Sequence, residues 1–235
     1  MSFQVEGKVA VVTGGSSGIG LAAVEILVAE GAKVAWCGRD EQRLVESKLY
    51  ILEKYPHAHV FTQVCNVLDK EDVKNFAQTV KQHLGNVDML INNAGQGRVS
   101  TFENTQDEDW MKEIELKYFS VLHPIRAFLV DLKNSAIGSV TNVNSLLALQ
   151  PEPHMIATSS ARAALLNLTH SLAHEFIQYN VRVNSILLGM VESAQWKRRY
   201  ETRSDPNQSW QDWTANIAKK RGIPMARLGL SLIHI

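Results

Sequence analysis

Thr13-Gly14-Gly15-Ser16-Ser17-Gly18-Ile19-Gly20 is the stretch on which the reading of the fold turns. It follows Lys8-Val9-Ala10-Val11-Val12, a short, β-branched, apolar run of the kind that forms a strand covered on both faces. From Gly18 to Glu30 the pattern becomes helical, with Ile19, Ala22, Ala23, Ile26 and Leu27 on one stripe. Glycines at a strand-to-helix turn allow positive φ and let the backbone approach a ligand closely. The free N–H groups at the helix start attract anions, so the stretch reads as a cradle for a dinucleotide's pyrophosphate. A glycine-rich loop alone is equally an ordinary tight turn; the strand before it and the helix after it favour the cradle.

Outward from this turn, strand-like runs recur at Lys8–Val12, Lys33–Cys37, His59–Val64, Asp88–Asn92, Gly138–Asn142 and Val181–Leu187, with helix-length segments between them. Such alternation predicts an α/β fold, a doubly wound parallel sheet with right-handed crossovers and helices on both faces. With no internal repeat, low-complexity tract or Pro/Ser-rich linker, residues 1–235 read as one domain. The stretch from Met190 to about Ile223 breaks the alternation, being polar and carrying Trp196, Trp210 and Trp213. Placed after a sixth strand, residues 190–223 would lie over the carboxyl ends of the sheet as a substrate lid; the alternative is an irregular surface excursion anchored by its tryptophans.

Composition narrows the classes further. Lys+Arg and Asp+Glu both total 24, a formal net charge of zero, so no nucleic-acid or membrane surface is advertised. No run reaches transmembrane length and Met1-Ser2-Phe3-Gln4-Val5-Glu6 lacks the regions of a signal peptide, which makes a cytoplasmic location the expectation. Cys37 and Cys65 stand at the ends of strand-like runs, outside any metal or disulfide pattern, and are expected to be reduced, buried, small apolar residues.

The order of motifs resembles the short-chain dehydrogenase/reductase family over nearly the whole chain. The glycine loop corresponds to that family's Thr-Gly-x-x-x-Gly-x-Gly, and Asn92-Asn93-Ala94-Gly95 to its Asn-Asn-Ala-Gly after the fourth strand. Ser145 falls where the family keeps a catalytic serine, and Arg182-Val183-Asn184 matches the run entering the sixth strand. Leu188-Gly189 stands where Pro-Gly is usual. The resemblance implies a single Rossmann-type domain binding NADP or NAD. It implies cofactor contacts from Gly14, Ser16, Ser17, Gly18, Ile19 and Gly20, from Asn66 and Val67 near the adenine, and from Asn93, Ala94 and Gly95. Arg162, Gly189, Val191 and Ser193 complete the implied set, Ser193 standing where a threonine often contacts the nicotinamide amide.

The catalytic positions depart from the family. Its Tyr-x-x-x-Lys lies thirteen residues after the serine, an offset that here lands on Thr158-Ser159-Ser160-Ala161-Arg162. Tyrosine has become Thr158, lysine Arg162, and the family's structural asparagine corresponds to Lys117. A threonine hydroxyl does not titrate in the useful range and is too short to reach where a phenol oxygen stood. Arg162 is charged at working pH and can fork two hydrogen bonds, but it is no proton relay. Replacement acids are on offer in His154, one helical turn before Thr158 if a helix begins that early, and in Lys117. Against these stand Pro151 and Pro153, which put His154 in a loop, and Glu113, which makes Lys117 half of a surface i,i+4 pair. Ser145 is expected to donate to the substrate oxygen, or else to cap the strand end.

Gly38 occupies the usual NAD-selecting acidic position and Arg39 follows it, which favours NADP; Asp40 beside it, and Ser17 at a loop position often basic in NADP-dependent members, keep NAD open. A plain helix N-terminal segment is the other reading of Arg39-Asp40. Asn66 stands where an aspartate commonly contacts the adenine. After Gly229 the family continues with further helix and a last strand; Leu230-Ser231-Leu232-Ile233-His234-Ile235 cannot supply these, so that strand is expected to be missing. The implied activity is hydride transfer between nicotinamide and a small carbonyl or alcohol, with a homodimer or homotetramer possible through the long fourth and fifth helices. The rival is a nucleotide-binding pseudoenzyme that senses or scaffolds. A non-redox lyase or isomerase has no support in the motifs.

Overall fold

The structure, a computed structural model, describes residues 4–192 and 194–229; the expectations placed on Ser193 and on Leu230 to Ile235 lie outside the described residues. Strands β1 (Val9–Thr13), β2 (Lys33–Gly38), β3 (Val60–Val64), β4 (Met89–Asn92), β5 (Ser139–Ser145) and β6 (Arg182–Leu188) form one sheet. Between them run α1 (Gly18–Ala29), α2 (Glu41–Lys54), α3 (Lys70–Leu84), α4 (Asp107–Asn134) and α5 (Ile156–Phe176), and after β6 come α6 (Ala194–Glu201) and α7 (Trp210–Lys220). The order is β3-β2-β1-β4-β5-β6 and every pairing is parallel. The doubly wound expectation holds.

Side chains on a strand alternate between faces, and β1, buried along its whole length, divides its residues accordingly. Val11 joins one core with Ala35, Phe76, Leu90, Phe128 and Leu165, beneath α3, α4 and α5. Val12 joins the other, with Val24, Val34, Trp36, Leu44 and Ile51, beneath α1 and α2. Cys37 and Cys65 are free and buried, as expected. No helix among the described residues is long and apolar enough to cross a membrane.

Two boundaries matter for the site; the first differs from expectation, and the second realises the loop reading of His154. β5 continues past Asn142 because Val143, Asn144 and Ser145 pair with Ile186, Leu187 and Leu188 of β6, so Ser145 is a strand residue. The polar run carries no periodic signal; its neighbour supplies the extension. Helix α5 begins at Ile156, leaving His154 in the preceding loop. The segment after β6 folds as two helices and returns to the sheet end, where Gly229 donates to the Met190 carbonyl and Glu192 to the Gly229 carbonyl, both at 2.8 Å.

Trp36 connects the core to the glycine loop. Its indole is fully buried, Nε1 donates to Ser47 Oγ at 3.0 Å, and a Cβ on Gly15 would collide with the Trp36 side chain. Trp36→Ala is therefore expected to cost about 3–5 kcal/mol of unfolding free energy, read as a lower urea midpoint. An unchanged midpoint would count against this packing role.

Candidate active site

The sheet order reverses between β1 and β4, and a cleft of about 840 Å³ opens outside the carboxyl ends of the strands at that point. Its floor is built by four hydrogen bonds between the two strand ends. Thr13 Oγ1 accepts from the N–H groups of Asn93 and Ala94, each at 3.0 Å. Asn93 Nδ2 donates to the carbonyls of Thr13 and Gly14 at 3.1 and 3.0 Å. Gly14 takes φ of +66°, and a Cβ there would stand 2.9 Å from the Ala94 Cα. Gly20 does not line the cleft: a Cβ on it would strike the Gly14 carbonyl and Asn93 Nδ2, so its part is packing beneath the loop. That corrects its reading as a ligand contact.

Gly14, Ser16, Ser17, Gly18 and Ile19 do line the cleft. Ser17 precedes α1 in an extended conformation and makes no side-chain cap, which leaves the first N–H groups of the helix unclaimed by their own N-cap residue. At the far end of the β1–β2 side stand Arg39 and Arg43. Asp40 is occupied as the N-cap of α2, accepting from the Arg43 N–H at 3.1 Å, with Arg43 Nε 3.3 Å from its other oxygen. Both readings of Arg39-Asp40 are thus realised: the helix does start here, and an arginine faces the cleft. Arg43 escaped the sequence reading, although its i,i+4 spacing from Arg39 is a usable signal. Asn66 and Val67 line the same end, and Asn66 Oδ1 accepts from the Leu68 N–H at 3.2 Å.

At the other end Ala94 and Gly95 meet Ser145, Arg162, Gly189 and Val191, with Trp196 of α6 beside them. Ser145 Oγ accepts from the Leu147 N–H at 3.3 Å, leaving its own proton free to be donated into the cleft. Arg162 is fixed on both sides. Its Nη1 donates to the Val143 carbonyl at 2.9 Å, while its own carbonyl accepts from Asn144 Nδ2 at 3.1 Å. Burial pushes the guanidinium below its usual range, Glu113 opposes that shift, and buried Nε has no hydrogen-bond partner.

The other three catalytic expectations do not reach the cleft. Thr158 is 2 % exposed; its hydroxyl lies 2.5 Å from Glu113 Oε2 as donor and accepts from the Arg98 N–H at 3.1 Å. Lys117 is equally buried, with Nζ donating to Glu113 Oε2 and to the Gln96 carbonyl, each at 2.7 Å. Burial pushes the Lys117 ammonium below the usual lysine range, Glu113 pulls it back, and Arg162 adds to the depression. The Glu113–Lys117 spacing was read correctly and its location wrongly, since the pair lies in the interior. His154 is turned to Glu152 and Arg221, 3.1 Å from Glu152 Oε2 and 2.5 Å from Arg221 Nη2, outside the cleft. Helix α5 starting two residues later is the reason. Among the described residues no group of three or more His, Cys, Asp or Glu side chains could hold a metal ion.

This geometry has close counterparts. The short chain dehydrogenase family matches residues 8–204. A short-chain oxidoreductase from Pseudomonas aeruginosa PAO1, solved with NADPH and containing an atypical catalytic center, is 53% identical with a TM-score of 0.91, covering 95% of this chain and 84% of that one. L-Sorbose reductase from Gluconobacter frateurii, solved with NADPH and L-sorbose, is 30% identical with a TM-score of 0.91, covering 98% of this chain and 87% of that one. An uncharacterized oxidoreductase of Staphylococcus saprophyticus is 34% identical over 190 residues, 81% of each chain. By its matched residues, its sheet order and its cleft, the chain belongs to the short-chain dehydrogenase family of NAD(P)-dependent oxidoreductases.

Proposed function

We propose that the chain is an NADPH-preferring reductase of small carbonyl compounds whose hydride-transfer end is built from Ser145 and Arg162. The observation that carries this reading is that these two, of the five catalytic candidates, line one end of a cleft whose opposite end holds Arg39 and Arg43. The residues present fit the dinucleotide: the uncapped start of α1 suits a pyrophosphate, the two guanidiniums suit a 2′-phosphate, and orphaned Arg162 Nε is a donor in want of an acceptor. Asp40, which also lines the cleft, is turned to capping α2 and to the Arg43 guanidinium, which weighs against its serving chiefly as an acceptor for the ribose hydroxyls.

When bound, the cofactor supplies the hydride. Ser145 Oγ, held by the Leu147 N–H, donates a hydrogen bond to the substrate's carbonyl oxygen, and the Arg162 cation stabilises negative charge developing there. The proton that completes the alcohol comes from solvent entering the open cleft, because Thr158 and Lys117 are committed to Glu113. Without a positioned general acid the rate falls about 100- to 10,000-fold below that of an enzyme that has one, so turnover is slow. On the same reading residues 190–223 act as the substrate lid, supported by Trp196, and the exposed α4 side chains Met111, Ile114 and Phe119 suit self-association. Two free, buried thiols accord with work in the reducing cytoplasm.

Steady-state assays with NADPH and a panel of small aldehydes and ketones test the activity. Measurable cofactor oxidation is expected, with Arg162→Met lowering kcat by about 100-fold. Thr158→Tyr is expected to bring no gain and to destabilise by about 1–3 kcal/mol through overpacking. Tight NADPH binding without oxidation of any panel member would instead support the sensing or scaffolding reading. Separately, Arg39→Ser is expected to weaken NADPH binding by about tenfold while leaving NADH unchanged, measured by fluorescence titration.

A further inference from the structure

Glu113 belongs to none of the motifs that nominate the site, yet two of the site's altered residues end on it. A single carboxylate oxygen, Oε2, accepts from Lys117 Nζ at 2.7 Å and from Thr158 Oγ1 at 2.5 Å, with the Glu113 side chain 5 % exposed. Lys117 leads from this carboxylate to the cleft wall, since its ammonium also donates to the carbonyl of Gln96, a lining residue. Thr158 leads to Arg162, one helical turn further along α5. The hydride-transfer end is therefore backed by two cations, Lys117 and Arg162, and one anion, Glu113. Its field reaches both cations, drawing each of their protonated forms back toward favour against burial.

A nicotinamide ring carries a positive charge in its oxidised form and none in its reduced form. A site with two uncompensated cations would hold the reduced form and reject the oxidised one; a site with one of them neutralised discriminates less. We propose that Glu113 is a positioning residue and counter-ion that sets the relative affinity for NADP⁺ and NADPH, by offsetting Lys117 so that cationic nicotinamide is tolerated beside Arg162. The inference rests on the cofactor reading given under the proposed function. It explains why lysine and threonine replace the family's asparagine and tyrosine alongside a buried glutamate: the lysine's charge requires an anion, and the short threonine leaves that anion in place and hydrogen-bonds to it.

The test is the ratio of dissociation constants for NADP⁺ and NADPH, by calorimetry and by NADPH fluorescence, in the full chain and in Glu113→Gln and Lys117→Gln. Glutamine at 113 keeps an acceptor for Lys117 and Thr158 while removing the charge. Glu113→Gln is expected to weaken NADP⁺ relative to NADPH by about fivefold, and Lys117→Gln to shift the ratio by about the same factor in the opposite direction. A packing role would lower the thermal midpoint of either variant and leave the ratio unmoved. An unmoved ratio in either folded variant overturns the proposal, and Lys117→Gln decides alone should Glu113→Gln fail to fold. If the unmodified chain binds neither nucleotide, the cofactor reading fails and this inference falls with it; if it binds both while the variants' ratios stand still, only the role of Glu113 is refuted.

Discussion

The tie between the ends of β1 and β4 is the constraint on which the cleft depends. In a parallel sheet whose order reverses, two adjacent strands send their chains to opposite sides, and the backbone groups at the parting would otherwise lose their partners. Here Thr13 and Gly14 at one strand end and Asn93 and Ala94 at the other satisfy one another through four hydrogen bonds, two of them between Thr13 and Asn93. The glycine loop follows from this. Gly14 and Gly20 lack side chains where Ala94 and the Asn93 amide must come close, and Gly15 rests against Trp36 in the core below. The loop's shape is thus set by packing on the sheet, with the Gly14 and Gly15 N–H groups both donating to the Cys37 carbonyl of β2, while the uncapped start of α1 borders the cleft.

A second polar system stiffens the other side of the cleft. Asn92 Nδ2 donates to Asn142 Oδ1 at 2.9 Å, and Asn142 Nδ2 donates to Thr169 Oγ1 of α5 at 3.0 Å. Asn144 then holds the Arg162 carbonyl, so the helix that carries Arg162 is fastened to β5 at two levels. Fastening of this kind turns a flexible arginine into a directed charge, because a guanidinium bonded at Nη1 and confined by its own backbone keeps few rotamers. Beneath it, the Glu113–Lys117 pair belongs to a class in which loss of one partner typically costs about 3–5 kcal/mol, because the other is left charged and buried. Structure and electrostatics at this end are consequently one system.

Much of the fold was legible in the residues. The run read as a covered strand at Lys8–Val12 is β1, Val9–Thr13, buried along its whole length, and the spacing of the glycines is a local pattern. Helix α1 was legible but its inward face was not: it buries Gly20, Ala22, Val24 and Val28, while Ile26 of the expected stripe is exposed, because the sheet selects the face. That Gly14, Ser16, Ser17, Gly18 and Ile19 line the cleft was also legible, since a strand end and a helix start place them. Ser145 and Arg162 were found because offsets along β5 and α5 carry over. Thr158 and Lys117, offered by the same counting, and His154, offered by helical spacing from Thr158, do not line the cleft.

The sequence by itself determined the alternation of strands and helices as far as β6, the glycine-rich turn between β1 and α1, and which residues stand at the family's motif positions, because each is written in periodicity or in spacing between neighbouring residues. Only the tertiary structure decided which polar side chains face the cleft. The Thr158 hydroxyl meets the Glu113 carboxylate across 45 residues of chain, and Arg98 reaches Thr158 across 60. Lys117 bonds a carbonyl 21 residues before it. A side chain's choice between a ligand site and a buried partner depends on which acceptors the packed helices bring within about 3 Å of it. That proximity is a property of the assembled layers, absent from any local stretch of the chain.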